Sequence, residues 1–94
     1  MSQMEKYQQI ILPVLKRYLI KRAAIFGSFA KDNTTTDSDL DLLIEPDKNF
    51  TIFKMLQLEE EISALINRKV DIVEYNALKL SIRNEVLASS VPIL

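Results

Sequence analysis

The chain has 94 residues, which is enough for one small domain. Its composition, 48% hydrophobic and 27% charged, is that of an ordinary globular protein. The net charge of −1 provides no general basic surface, so we expect no direct nucleic-acid binding. The absence of cysteine and histidine excludes disulfides, zinc–thiolate sites, cysteine nucleophiles and imidazole bases, so that any acid–base or metal chemistry depends on carboxylates, hydroxyls, lysine or arginine.

No apolar run approaches the ~18 residues of a membrane span, and the N-terminus lacks a signal-peptide pattern. We therefore expect no membrane partner and a cytoplasmic location.

The first predicted element is a helix from about residue 3 to residue 19, with Ser2 as its N-cap and Glu5 completing a capping box. Pro13 removes one backbone donor and is expected to kink or split this helix. Met and Tyr side chains recur along it at helical spacing, from Met4 to Tyr18. This stripe could line a ligand pocket, but such a face is more often buried in the core.

Three short strands and two more helices follow. The strands are predicted at residues 22–26, 40–45 and 70–73. Asp47 or Asn49 is expected to cap a helix over about residues 51–66, with Met55, Leu58, Ile62 and Leu65 on its apolar face. Asn76 is expected to cap a last helix to about residue 89, with Leu78, Ile82 and Val86 turned inward. The helix between the second and third strands is long enough for a parallel connection.

The stretch from Gly27 to Asp41 contains the most informative residues. Gly27 is the only glycine; it follows the first strand and precedes Ser28. Residues 28–31 are predicted to form one helical turn, and residues 32–38 a polar loop. Asp39 and Asp41 share one face of an extended strand, with Cα atoms roughly 6.5 Å apart. Leu40, Leu42 and Ile44 face the core.

Two neighbouring carboxylates repel each other unless a cation lies between them, and such oxygen ligands suit Mg²⁺ held jointly with phosphates. The Gly-Ser turn can bind a phosphate through backbone N–H groups. Each feature alone has an ordinary explanation as a solvated turn or an acidic loop.

Asp71 lies between Val70 and Ile72 in a predicted strand. A buried aspartate there needs a partner, because desolvating a charge is costly. Exposure at a sheet edge, or pairing with Lys69 or Arg68, would explain it structurally. A metal site shared with Asp39 and Asp41 would explain it functionally.

The motif Gly27-Ser28-x10-Asp39-x-Asp41 resembles the signature of nucleotidyltransferases related to DNA polymerase beta. The small size and the run from Lys69 to Val73 resemble its minimal nucleotidyltransferase (MNT) members, antitoxins of HEPN-domain ribonuclease toxins. The similarity extends from about residue 10 to residue 91. Many members have Ala-Arg-Gly after the turn, where this chain has Ala30-Lys31-Asp32.

The resemblance implies an α/β (α+β) domain with a small mixed three-stranded sheet flanked by helices, in the order α-β-α-β-α-β-α. It implies two Mg²⁺ ions held by Asp39, Asp41 and Asp71, all three catalytic, with Asp71 also helping to activate the attacking hydroxyl. The Gly27-Ser28 turn would cradle the phosphates of ATP, the substrate. Lys31, which keeps the positive charge of the usual arginine, would contact the nucleotide.

The resemblance implies transfer of AMP from ATP to a hydroxyl, with tyrosine as the expected residue, on a cognate HEPN toxin in a hetero-oligomeric complex. The acceptor is expected on a partner protein because no further acceptor-binding domain follows. Phe50, Phe53 and the tail from Val91 to Leu94 are candidate contacts, with burial in the monomer as the alternative. Two other functions stay open: an antitoxin that neutralises the toxin by covering it, and a small-molecule nucleotidyltransferase.

Overall fold

A computed structural model describes residues 3–27 and 39–94. The predicted cap Ser2, the helical turn at residues 28–31 and the loop at residues 32–38 lie outside these ranges. The elements in chain order are α1 (Gln3–Arg17), β1 (Arg22–Phe26), β2 (Leu40–Glu45), α2 (Ile52–Ile66), β3 (Val70–Glu74), a 3₁₀-helical turn (Tyr75–Ala77), α3 (Leu80–Ser89) and β4 (Val91–Pro92).

The four strands form one mixed sheet in the order β3-β2-β1-β4. β1 is antiparallel to β2 and to β4, whereas β2 and β3 are parallel, so α2 is the predicted crossover. The α+β class is confirmed, but the predicted three-stranded sheet is wrong by one strand. The C-terminal tail supplies the fourth, and the backbone N–H of Ile93 donates to the Ala23 carbonyl at 2.9 Å.

Helices α1 and α2 pack on one face of the sheet. Their buried side chains meet the even-numbered residues of β2, and Leu40, Leu42 and Ile44 are fully buried, as predicted. The larger core cluster comprises Ile11, Val14, Leu15, Ile20, Ala23, Ile25, Leu40, Leu42, Ile44, Leu58, Ile62, Ile66, Val70 and Ile72.

On the opposite face of the sheet, fewer side chains of the described residues are buried. Its core cluster consists of Ala24, Leu43 and Tyr75, with Leu78 and Val86 among the partly buried side chains packed against them. No residue of α3, all of which is described, is fully buried. Among the described residues, one face is therefore closed by two long helices, and the other is only partly covered by α3.

Helix α1 ends two residues earlier than predicted, and Pro13 lies within it without splitting it. The N–H of Leu19 donates to the Lys16 carbonyl and that of Ile20 to the Leu15 carbonyl, with Leu19 at φ +60°. This is a Schellman ending in which leucine occupies the position usually taken by glycine. The left-handed φ of Leu19 therefore carries a steric cost.

Several details of the other helices differ from the predictions. Thr51, rather than Asp47 or Asn49, caps α2, since its hydroxyl accepts from the Lys54 N–H at 3.2 Å. Leu65, predicted to be inward, is half exposed. The last helix begins at Leu80 because residues 75–77 form a separate 3₁₀ turn, and Ile82, predicted to be inward, is exposed.

Candidate active site

The strand register places Asp41 and Asp71 side by side. Asp41 of the central strand β2 is the register partner of Asp71 on the parallel edge strand β3. Both side chains lie on the sheet face that carries Leu43, because side chains alternate along a strand and their immediate neighbours in sequence fill the opposite core. Asp39 lies one residue before β2, at the same end of the sheet. Strands β2 and β3 thus bring the three predicted aspartates to the same end of the sheet.

The pKa of Asp41 reflects both its burial and the two carboxylates near it. Burial raises the pKa of Asp41 above its ordinary value, and repulsion from Asp71 and then from Asp39 raises it further. Asp41 is therefore a half-buried acid facing two others of the same sign. A cation placed among the three would relieve that repulsion.

Asp71 itself is exposed to solvent, although both of its neighbours along β3 are buried. The desolvation argument from the sequence therefore does not apply, because β3 is an edge strand. Exposure at the edge, the structural explanation, fits the observed position of Asp71. The same position is adjacent to Asp41 on the neighbouring strand, so a functional role for Asp71 remains a prediction.

Gly27 lies beside Asp41 on the side opposite Asp71. Phe26, the last residue of β1, is the register partner of Asp41, and Gly27 follows it at φ +72°. A Cβ atom on Gly27 would lie 2.2 Å from Oδ2 of Asp41 and 3.1 Å from its Cγ. The bare Cα of Gly27 therefore leaves the space that the Asp41 carboxylate occupies. Sequence reasoning attributed that space to a phosphate and did not anticipate this contact.

The carboxylate oxygens at this end of the sheet are of the kind that Mg²⁺ prefers, since the ion binds carboxylates in combination with substrate phosphates. Among residues 3–27 and 39–94, no three acidic side chains are grouped closely enough to hold a metal ion as they stand. Ser28 and Lys31, predicted to bind the nucleotide, lie outside the described ranges. The described part of the proposed site is thus Gly27 with the three aspartates.

Comparison with known proteins identifies the family. Residues 8–94 match the sequence profile of the polymerase beta nucleotidyltransferase domain. The chain belongs to this nucleotidyltransferase family. The resemblance inferred from the Gly-Ser turn and the two aspartates is confirmed.

Individual relatives agree with this assignment. The protein adenylyltransferase MntA of Thermococcus cleftensis is 32% identical over 76 residues, which cover 81% of this chain and 77% of MntA. A solved structure of a candidate minimal nucleotidyltransferase superposes with a TM-score of 0.84 at 29% identity, covering 95% of this chain and 91% of that one.

A more distant structure has the same fold. It is an MNT antitoxin in complex with a tri-AMPylated HEPN toxin from Shewanella oneidensis, with a TM-score of 0.76 at 13% identity. The match covers 98% of this chain and 72% of that chain. At this level of identity the likeness concerns the fold alone.

No helix in the described ranges is long and apolar enough to cross a membrane.

Proposed function

We propose that this protein is an antitoxin that transfers AMP from ATP to a hydroxyl group, that of a tyrosine, on a cognate HEPN-type toxin. The observation that carries the proposal is the pairing of Asp41 with Asp71 on adjacent strands, next to Gly27, in a member of the nucleotidyltransferase family. The relatives named as protein adenylyltransferases, and the AMPylated toxin bound to an MNT antitoxin, support a protein acceptor.

In this proposal, Asp39 and Asp41 would hold Mg²⁺ together with the phosphates of ATP, and Asp71 would complete the site of a second ion. Bound Mg²⁺ would supply charge neutralisation and alignment, which provide most of the rate in phosphoryl transfer. The raised pKa of Asp41 supports this assignment, because burial, together with repulsion from Asp71 and Asp39, disfavours the charged form of Asp41, and a cation among the three would offset that cost. We place the reaction in the cytoplasm, the location expected from the sequence.

The remaining residues position the nucleotide. The backbone of Gly27 and the N–H and hydroxyl of Ser28 would bind the β- and γ-phosphates, and Lys31 would contribute positive charge. The acceptor oxygen attacks the α-phosphorus, the bond to the pyrophosphate oxygen breaks, and pyrophosphate leaves. Asp71, exposed at the sheet edge, would help to remove the proton of the incoming hydroxyl.

The acceptor protein must approach the sheet face that carries the aspartates. This face is only partly covered by α3, and Leu80 of α3 is 83% exposed. Phe53, one of the predicted contacts, is 78% exposed, but α2 packs on the opposite face. Phe50 is partly buried against the larger core, and the tail pairs with β1 as β4. Both therefore make contacts within the monomer. We therefore propose that α3 flanks the bound acceptor.

Ribonuclease assays on the re-isolated toxin test covalent modification against simple covering. The toxin is incubated with this protein, ATP and Mg²⁺, separated from it under denaturing conditions, refolded and assayed. A matched toxin sample receives instead an ATP analogue in which a methylene group replaces the α,β-bridging oxygen, so that the bond broken in AMP transfer cannot be cleaved. We expect inhibition to persist only after incubation with ATP. Full recovery of activity in both samples would contradict the proposal and favour an antitoxin that acts by covering the toxin.

A further inference from the structure

The contact between Gly27 and Asp41 points to a role for the glycine beyond admitting a phosphate. We infer that Gly27 is a positioning residue for the Asp41 carboxylate: its missing side chain leaves the space into which Asp41 must project to reach the shared site. The inference rests on the proposed function for the purpose of that carboxylate, but the contact itself can be tested without ATP or toxin.

The geometry requires the Asp41 side chain, rather than the backbone, to give way if a Cβ is added. Apart from the two chain neighbours of Gly27, the three heavy atoms nearest to this Cβ all belong to the Asp41 side chain: Oδ2 at 2.2 Å, Cγ at 3.1 Å and Cβ at 3.3 Å. A separation of 2.2 Å is far inside van der Waals contact, where carbon atoms optimally lie about 3.5–4.0 Å apart. Any substitution therefore displaces the carboxylate from its observed position.

The Asp41 backbone is held on both sides. β2 lies between β1 and β3, and Asp41 is the register partner of Phe26 on one side and of Asp71 on the other. Its neighbours Leu40 and Leu42 are fully buried, so a shift of the backbone would disturb the core. The carboxylate must instead rotate about its own side-chain bonds, away from Gly27.

Two effects of substituting Gly27 have to be separated. The φ of +72° disfavours any residue with a side chain, whatever the space around it. Asparagine tolerates this conformation better than alanine does, and Asn67 of this chain adopts φ +52°. Asparagine and alanine place a Cβ at the same point. Gly27→Asn therefore retains the collision with Asp41 while reducing the backbone strain.

A double-mutant cycle measures the collision directly. Gly27→Asn and Gly27→Ala are each introduced into the natural chain and into an Asp41→Ala background, and thermal unfolding midpoints are measured without metal or nucleotide. We expect each substitution at residue 27 to lower the midpoint in the natural chain, and to lose at least half of that effect when residue 41 is alanine. Equal losses in the two backgrounds would overturn the inference and leave only the φ requirement.

Kinetics provide the second readout, on Gly27→Asn in the full chain with the toxin as acceptor. A displaced Asp41 predicts a fall in kcat of at least tenfold, together with any rise in the KM for ATP that weaker metal-assisted binding causes. A rise in KM with kcat unchanged would mean that the glycine serves the phosphates, and would overturn the positioning role. A natural chain that transfers no AMP would refute the proposed function, whereas the unfolding cycle would still decide whether Gly27 positions Asp41.

Discussion

Replacing Asp71 by asparagine should make the metal-free protein more stable while removing its activity. Asp71 is exposed and is the register partner of Asp41, whose pKa is raised by burial and by repulsion from Asp71 and Asp39. Asparagine has nearly the same shape, so the substitution removes the repulsion and leaves the packing of β3 intact.

The magnitude follows from the strand pairing. Favourable cross-strand side-chain pairs contribute about 0.2–1 kcal/mol and like charges directly opposite each other are destabilising, so we take the same range for the repulsion in this parallel pair. In a domain of this size 1 kcal/mol corresponds to about 4–8 °C in Tm. We therefore expect Asp71→Asn to raise the Tm by about 1–8 °C at low ionic strength in EDTA. AMP transfer should fall by about two orders of magnitude or more, because a group that acts on charge in the transition state is lost.

The pH dependence of stability independently tests whether repulsion by Asp71 destabilises the folded protein. Because the folded state raises the pKa of Asp41, it binds that proton more tightly than the unfolded chain does. The repulsive contribution of Asp41 is thus fully present above the raised pKa and disappears as the pH falls through it. The stability advantage of Asp71→Asn should accordingly be largest near pH ~7 and shrink toward pH ~4.

The assay is thermal unfolding followed by circular dichroism, with Glu60→Gln as the matched control. Glu60 is an exposed acid on α2, so this control makes the same change in net charge away from the three aspartates. A Tm of Asp71→Asn that is no higher than that of the control would refute the repulsion argument. A clear loss of stability would mean that Asp71 forms a stabilising ion pair, as the structural interpretation with Lys69 or Arg68 requires.

Three further predictions concern other parts of the molecule. Asp39→Asn combined with Asp41→Asn should abolish the Mg²⁺ dependence of ATP binding, and equal ATP affinity of the natural chain in Mg²⁺ and in EDTA by calorimetry would contradict the shared site. Leu19→Gly should stabilise the protein by about 1 kcal/mol in urea unfolding, because the 65% exposed leucine has a left-handed φ; a lower midpoint would show that its side chain contributes more than the strain costs. Leu80→Glu should weaken binding of the toxin at least tenfold in surface-immobilised binding measurements, whereas Phe53→Glu should not; the reverse order would place the toxin over α2.

The sequence indicated which side chains of β2 face the larger core, but not how the strands are arranged around Asp41. Alternation in residues 39–44 correctly separated the aspartates from the core leucines, since period 2 is a local property of a strand. The register of Asp41 with Asp71 depends on how the parallel crossover docks β3, which no local pattern specifies. For the same reason the sequence left open whether Asp71 is buried or exposed at a sheet edge, because strand order, and hence edge exposure, is a tertiary property.

The fourth strand and the N-cap of α2 differ from the sequence predictions for separate reasons. β4 has only two residues, one of them Pro92, and pairs with the distant β1, so no periodicity indicated it. Asp47, Asn49 and Thr51 are all good caps close together in the sequence, and only the packing of α2 selects Thr51.

Intact-mass measurement of the toxin tests the central claim most directly. The toxin is mixed with this protein, ATP and Mg²⁺, and in parallel with the variant that combines Asp39→Asn and Asp41→Asn. The account predicts a gain of about 329 Da per AMP unit in the first sample, as attack at the α-phosphate requires, and no gain in the second. A toxin that is fully inhibited in the first sample and yet unchanged in mass would contradict the account.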